Sequence, residues 1–287
     1  MRAAQDWDDY ALLDCSDGER LERWGEYILI RPDPQVIWRG QRRHPGWKQA
    51  HARYQRAASG GGQWEYLREL PEQWGIRWRE LSFFIKPMGF KHTGLFPEQA
   101  ANWALLTERI RAAGRPIKVL NLFAYTGGAT LACLAAGASV AHVDAARGMV
   151  LRAKENALRS GLAGGNVRWL VEDCVKFAQR EIRRGSRYDV ILLDPPSYGR
   201  GPGGEVWKLE DELHALVDLC GQLLSPQPLL LLLNSYSAEL SPGVMQYLLA
   251  SALVPQYGGT ATCDEIGLPV EATGLVLPCG STAMLEF

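Results

Sequence analysis

A doubly wound α/β fold, a parallel sheet covered by helices on both faces, is what the larger part of this sequence predicts. Three observations predict it. From residue 116 onward short apolar runs alternate with helical patterns, a Gly-Gly pair follows the first run, and carboxylates stand at the ends of successive runs. The elements follow in order. "IKVLNLF" (117–123) reads as a buried strand, after which Gly127 and Gly128 turn the chain into a small-residue helix ending near Ala136. "SVAHVD" (139–144) is the second strand, and "RGMVLRAKENALRSG" continues as a helix. "VRWLVED" (167–173), "YDVILLD" (188–194) and "PLLLLLN" (228–234) are three more strands, with helices at about 174–184 and 208–224 between them. After a helix near 242–254, "GTATCDEIGLPV" and "TGLVLPCGSTAMLEF" read as two strands with no helix between them, a closing antiparallel hairpin.

The first 85 residues have another texture and are assigned to a small β-rich (α+β) domain, 1–85, ahead of the α/β domain, 86–287. Short alternating runs punctuated by Asp-Gly and Pro-Asp-Pro suggest hairpins, and "SGGGQ" (59–63) is a flexible loop.

Composition bounds the function. With 47% hydrophobic and 22% charged residues the chain reads as an ordinary soluble globular protein. Its six cysteines form no CxxC pair and its five histidines are scattered, which predicts no metal site and a reduced, cytoplasmic compartment. The acidic opening predicts no signal peptide, and the longest apolar run is too short for a membrane span. The net charge of −1 conceals an imbalance: residues 1–30 carry three basic and eight acidic side chains, residues 31–60 seven and one. The basic window interleaves Arg39, Arg42, Arg43, Lys48, Arg53 and Arg56 with Trp38, Trp47 and Tyr54, a composition suited to phosphates and unstacked bases. The competing reading is a solvated loop anchored by its tryptophans.

The strand ends carry the candidate chemistry. Glycine after the first strand lets backbone approach a ligand, and Asp144 at the end of the second can accept both hydroxyls of a ribose. The spacing also fits a dinucleotide site, but neither the GxGxxG pattern nor a Walker lysine is present. A plain α/β turn with a solvated aspartate stays open for this stretch alone. Glu172 and Asp173 end the third strand, where a carboxylate or neighbouring N–H can read an adenine amino group. Asp194, Pro195 and Pro196 end the fourth, the paired prolines forming a rigid shelf.

The order "NLFAYTGG", "VD", "ENA", "VED", "LDPPS" and a closing hairpin resembles class I S-adenosylmethionine-dependent methyltransferases. More narrowly it is similar to the large-subunit 23S ribosomal RNA methyltransferases that make 5-methylcytosine or 7-methylguanine. "FKHTGLFPEQAANW" (90–103) resembles that family's Lys-Thr-Gly-aromatic-x-Asp-Gln segment in Lys91, Thr93, Gly94, Phe96 and Gln99, with Glu98 where aspartate is usual. The resemblance covers about residues 80–287. It implies a Rossmann-like sheet of seven strands with S-adenosyl-L-methionine as cofactor. The cofactor contacts it implies are Lys91, Thr93, Gly94, Gln99, Asn121, Phe123, Ala124, Thr126, Gly127, Asp144, Ala145, Asn156, Glu172, Asp173 and Asp194.

Two departures from the family matter. No RNA-binding PUA domain opens the chain. "LNSYS" (Asn234, Ser235, Tyr236, Ser237) stands where cytosine-C5 members place a nucleophilic cysteine, and serine does not replace a thiolate. The expected activity is therefore methyl transfer to RNA, ribosomal RNA in particular, at a base nitrogen, with Asp194, Pro195 and Pro196 catalytic and Tyr198, Tyr236, Arg42 and Arg43 on the acceptor. Alternatives are a protein or small-molecule acceptor, or a non-catalytic nucleotide- or RNA-binding module.

Overall fold

The computed structural model describes residues 1–40, 42–57, 61–89, 91–200, 206–237 and 239–287. Ser59 and Gly60 of the expected flexible loop, and Phe90 of the Lys-Thr-Gly segment, fall outside these. The chain folds as two compact units, residues 1–101 with 267–279, and residues 102–266 with 280–287.

The first unit is built of short strands. β1 (Arg2–Ala3) is followed by β2 (Tyr10–Ser16), β3 (Glu19–Trp24), β4 (Tyr27–Pro32), β5 (Ala52–Arg56) and β6 (Gly62–Tyr66), of which the last five form one sheet in chain order. β7 (Trp74–Trp78) and β8 (Leu81–Ile85) make a separate antiparallel pair. The Asp-Gly signal is a hairpin turn, as expected: Asp17 and Gly18 both have positive φ, 54° and 78°, the handedness that matches strand twist.

This unit absorbs the charge imbalance. The acidic opening and the basic window are each other's counter-charges: Arg20 pairs with Asp33, Arg31 with Glu22, and Arg42 and Arg53 both with Glu19. Asp14 gathers the Arg43 and His44 N–H groups and Trp47 Nε1 on one oxygen, and the Cys15 N–H on the other. Burial pushes its carboxyl up, but these hydrogen bonds outweigh burial and hold it below the usual range. Trp38 donates to the Cys15 carbonyl at 3.0 Å. The tryptophans of the basic window are thus tied into the unit that carries them.

The second unit contains β9 (Lys118–Leu122), β10 (Ser139–Asp144), β11 (Val167–Val171), β12 (Val190–Leu193), the short pair β13 (Tyr198–Arg200) and β14 (Val206–Lys208), and β15 (Leu230–Ser235). The closing hairpin is β16 (Thr260–Pro269) and β17 (Val276–Glu286), whose tip is counted with the first unit. The helices are α1 (Ala100–Ala112), α2 (Gly128–Ala135), α3 (Arg147–Arg159), α4 (Cys174–Arg183), α5 (Leu209–Gly221), α6 (Pro242–Ala252) and the short α7 (Val254–Tyr257). The strand order β1-β16-β17-β15-β12-β9-β10-β11 is the Rossmann-like sheet with its hairpin edge, one strand more than the seven expected because β1 adds to β16: β15, β12, β9, β10 and β11 run parallel, and β17 pairs antiparallel to β15.

Alternation within the strands divides the core. Leu120, Leu122, Ile191, Leu193, Leu231 and Leu233 pack on the face that holds Phe177, Leu213, Leu216 and Met245. Val119, Val140, Val190, Leu192, Leu230 and Leu232 pack on the other, with Leu106, Ile110 and Cys133. A strand buried on both faces has no position for a polar residue, which is why β15 reads as an unbroken leucine run until Asn234. The chain leaves β9 toward β10 and β11 and returns to β12 on the other side of β9. That reversal opens the crevice in which open α/β sheets bind ligands, beyond the carboxyl ends of the strands.

Candidate active site

The turn after β9 is held in a strained shape. Phe123 and Tyr125, neither of them glycine, have left-handed φ of 57° and 50°, and Gly127 follows at 89°. Such conformations cost about 1–3 kcal/mol each and persist only where neighbours over-determine them. The neighbours are identifiable. Phe123 N–H donates to Cys174 Sγ, Ala124 N–H to the Val143 carbonyl, Tyr125 N–H to Asp144 Oδ2, and Asn156 Nδ2 to the Thr126 carbonyl. The two glycines answer packing demands. A Cβ on Gly127 would meet the Ala153 methyl at 3.0 Å, and one on Gly128 would stand 2.3 Å from the Trp103 ring.

Asp144 ends β10 beside this turn. Its Oδ2 accepts from Tyr125 N–H at 2.9 Å and its Oδ1 from Ala146 N–H at 2.8 Å. Burial raises its carboxyl pKa in spite of these bonds. Each carboxylate oxygen carries two lone pairs, so a diol can still be accepted. Ala145 beside it is exposed. Asn121 and Asn156 serve the turn from behind: both are buried, and Asn121 Nδ2 donates to Thr130 Oγ1 at 2.9 Å. Beyond β11, Glu172 is ion-paired with Arg180, and Asp173 caps α4 by accepting the Lys176 N–H at 2.9 Å.

At the end of β12, Asp194 is half-buried, Pro195 buried and Pro196 exposed. Asp194 Oδ1 accepts from Asn234 Nδ2 at 2.9 Å. Tyr198 and Tyr236 are 52% and 37% exposed. Sequence reasoning missed Trp207 on β14. Its Nε1 donates to the Pro196 carbonyl at 2.7 Å, and its ring lies 5.6 Å from that of Phe123 at 46°. It supplies an aromatic ring where Ser197 follows the prolines. A cavity of about 630 Å³ opens alongside, lined by Ser197, Tyr198 and Lys208 and by three carboxylates, Glu210, Asp211 and Glu239.

Cys133 and Cys220 are fully buried, and burial pushes both thiols up to about 12. Among the described residues no cluster of histidine, cysteine and carboxylate side chains could hold a metal ion.

Within the first unit, Lys91 Nζ donates to the Pro32 carbonyl at 3.2 Å. Burial, then Arg20 and Arg31, bring its pKa down to about 8. Thr93 is fully buried with its hydroxyl unpartnered, Gly94 has a φ of 92°, and Gln99 N–H donates to the Phe96 carbonyl. Arg42 stacks over Trp47 at 4.2 Å while paired with Glu19, and Arg43 is exposed.

A switch-point crevice flanked by a strained turn and by carboxylates at successive strand ends defines a ligand-binding doubly wound α/β protein. Comparison with known proteins gives the family. The profile of the S-adenosylmethionine-dependent methyltransferase family matches residues 40–239. The S-adenosylmethionine-dependent methyltransferase of Agrobacterium tumefaciens is 38% identical and superposes with a TM-score of 0.93 over 99% of this chain and 92% of its own. The chain belongs to the S-adenosylmethionine-dependent methyltransferase family. Among curated relatives, the ribosomal RNA large subunit methyltransferases K/L of Shewanella frigidimarina and Syntrophotalea carbinolica are 27% and 28% identical over 58% and 63% of this chain. These matches span 22% and 25% of the relatives' own lengths. A putative methyltransferase of Streptococcus mutans, 19% identical with a TM-score of 0.75, shares the fold.

The chain is thus a methyltransferase enzyme and its cofactor is S-adenosyl-L-methionine. The residues present fit that cofactor on two observations. Asp144 keeps acceptor capacity in a desolvated position, and the adjoining turn is held in a strained shape that its own packing enforces.

Proposed function

We propose that the enzyme methylates a base nitrogen of RNA, with ribosomal RNA as the acceptor and the Asp194-Pro195-Pro196 shelf as the acceptor site. The observation that carries the reading is the end of β12. Asp194 is held by Asn234, and the end of β15 with the two residues that follow, Ser235-Tyr236-Ser237, offers no thiol. Bound S-adenosylmethionine supplies an electrophilic methyl group on a sulfonium. The remaining work belongs to the chain. Asp144 accepts the ribose hydroxyls. Asp194 accepts an N–H of the acceptor amine, and the Pro195 carbonyl accepts a second, so that the nitrogen lone pair points at the methyl group. Positioning of this kind supplies most of the acceleration in a direct displacement. Trp207 and Phe123 form an apolar wall beside the shelf, and Tyr198 and Tyr236 border it.

The ribosomal RNA assignment draws on the names of the curated relatives. The acidic lining from Glu210, Asp211 and Glu239 favours a second reading, an amine-bearing protein or small molecule, because phosphates are repelled there. Labelled S-adenosylmethionine and ribosomal RNA from cells lacking the gene test the proposal, with a parallel RNA containing 5-fluorocytosine. The expected result is label in the RNA, on a nitrogen, without a covalent adduct. An adduct abolished by replacing any one cysteine overturns the nitrogen reading. Label entering protein or small-molecule fractions, and no RNA, establishes the second reading.

A further inference from the structure

Asp194 is held by more than its own strand. Asn234 Nδ2 donates to Asp194 Oδ1 at 2.9 Å, Thr282 Oγ1 donates to Asn234 Oδ1 at 2.9 Å, and Asn102 Nδ2 donates to Thr282 Oγ1 at 3.1 Å. Asn102, Thr282 and Asn234 are 1%, 0% and 1% exposed. The first comes from α1, the second from β17 and the third from the end of β15, where Asn234 and Thr282 are direct cross-strand partners.

Chemistry fixes the sense of this chain. An amide oxygen turned toward a carboxylate would set acceptor against acceptor, so Asn234 must present its NH₂ to Asp194. Its oxygen then faces Thr282, which has one proton and must donate it. Thr282 Oγ1 can thereafter only accept, and Asn102 fills that place with an N–H. No member can flip without leaving a buried polar group unsatisfied. The chain therefore behaves as a clamp with one stable setting.

We infer that Asn234, oriented by Thr282 and Asn102, is a positioning residue for methyl transfer: by holding one carboxylate oxygen it sets the orientation in which Asp194 meets the acceptor nitrogen. This rests on the reading of Asp194 as the acceptor-binding carboxylate. It also gives a reason for a buried asparagine at the end of a leucine strand, and for the closing hairpin, which returns to deliver Thr282.

Thr282→Val and Thr282→Ser separate the clamp from bulk packing, since valine keeps the shape and loses the proton while serine keeps the proton. With ribosomal RNA from cells lacking the gene as acceptor, Thr282→Val is expected to lower kcat about 10- to 100-fold with little change in KM. Its S-adenosylmethionine affinity by calorimetry should match the parent, and Thr282→Ser should restore kcat. Asn102→Ala should fall the same way by less. Wild-type kcat in Thr282→Val, or equal impairment in both Thr282 variants, overturns the inference. A second arm needs no acceptor. In ¹⁵N-labelled protein the Asn234 side-chain NH₂ signals should shift on Asp194→Asn and again on Thr282→Val. Signals indifferent to Thr282→Val overturn the clamp even if the enzyme acts on something other than RNA. Absence of any methyl transfer to RNA with those signals responding sinks the acceptor assignment and not the clamp.

Discussion

His142 on β10 is fully buried, with Nδ1 2.9 Å from Thr130 Oγ1 and Nε2 without a partner. Burial lowers its pKa from 6.5 to about 3. Below pH 6.5 the unfolded chain takes up a proton that the folded chain refuses, so stability falls as pH falls toward 3. The slope is about 1.4 kcal/mol per pH unit for one such histidine. His92 adds to it, its pKa brought down to about 4 by burial, then by Arg31 and Lys91. Urea unfolding at steps from pH 6.5 to 5 should show His142→Phe with a shallower slope than the parent, by about one proton. An unchanged slope means that His142 is protonated in the fold. Asp144→Ala should weaken S-adenosylmethionine binding in calorimetry by about 1.5–3 kcal/mol for each charged hydrogen bond removed, and a change under twofold would exclude Asp144 from the site. Asp144 and Asp194 were legible in the sequence because a carboxylate ending an apolar run is costly unless it meets a ligand or a partner. Asn234 was visible only as a missing cysteine. Its role depends on a cross-strand partner 48 residues away, which no local pattern reveals.

Among the elements, the five parallel strands and the closing hairpin could be read from the sequence because each is a run long enough to show its period. β13 and β14 could not, being three residues each beside glycines, and with them Trp207 was lost. The glycine turn was legible as a turn, but the reason for its second glycine, the Trp103 ring beside it, was not. Gly128→Ala should therefore destabilise the protein by about 1–3 kcal/mol in chemical denaturation, because the buried Trp103 ring has nowhere to move. Full stability would show that α1 gives way. If Trp207 provides the acceptor wall, Trp207→Ala should lower kcat/KM for RNA by about 1–3 kcal/mol of stacking while Trp207→Phe keeps most of it. Equal impairment would limit Trp207 to pinning the β13–β14 pair through Pro196.

For the whole molecule, sequence counting left two readings of the basic window open. Pairing with Glu22 and Glu19 uses three of its seven cations, Arg31, Arg42 and Arg53, internally. Arg39, Arg43 and Lys48 stay exposed. If the first unit binds RNA, neutralising Arg43 and Lys48 should lower the slope of log affinity against log salt by about 0.7–0.9 for each phosphate no longer neutralised. Arg42→Gln should instead loosen the Glu19 cluster and cost stability. A slope unaltered in the folded Arg43, Lys48 variant would remove this surface from RNA binding.

Methylation of ribosomal RNA at a base nitrogen meets its sharpest test in mass spectrometry of nucleosides from a strain lacking the gene, complemented by the parent gene and by Asp194→Ala. One base-nitrogen methylation is expected to disappear from the deletion strain, to return with the parent gene and to stay absent with Asp194→Ala. Identical nucleoside profiles in the parent, deletion and two complemented strains, or a lost 5-methylcytosine, would contradict the assignment.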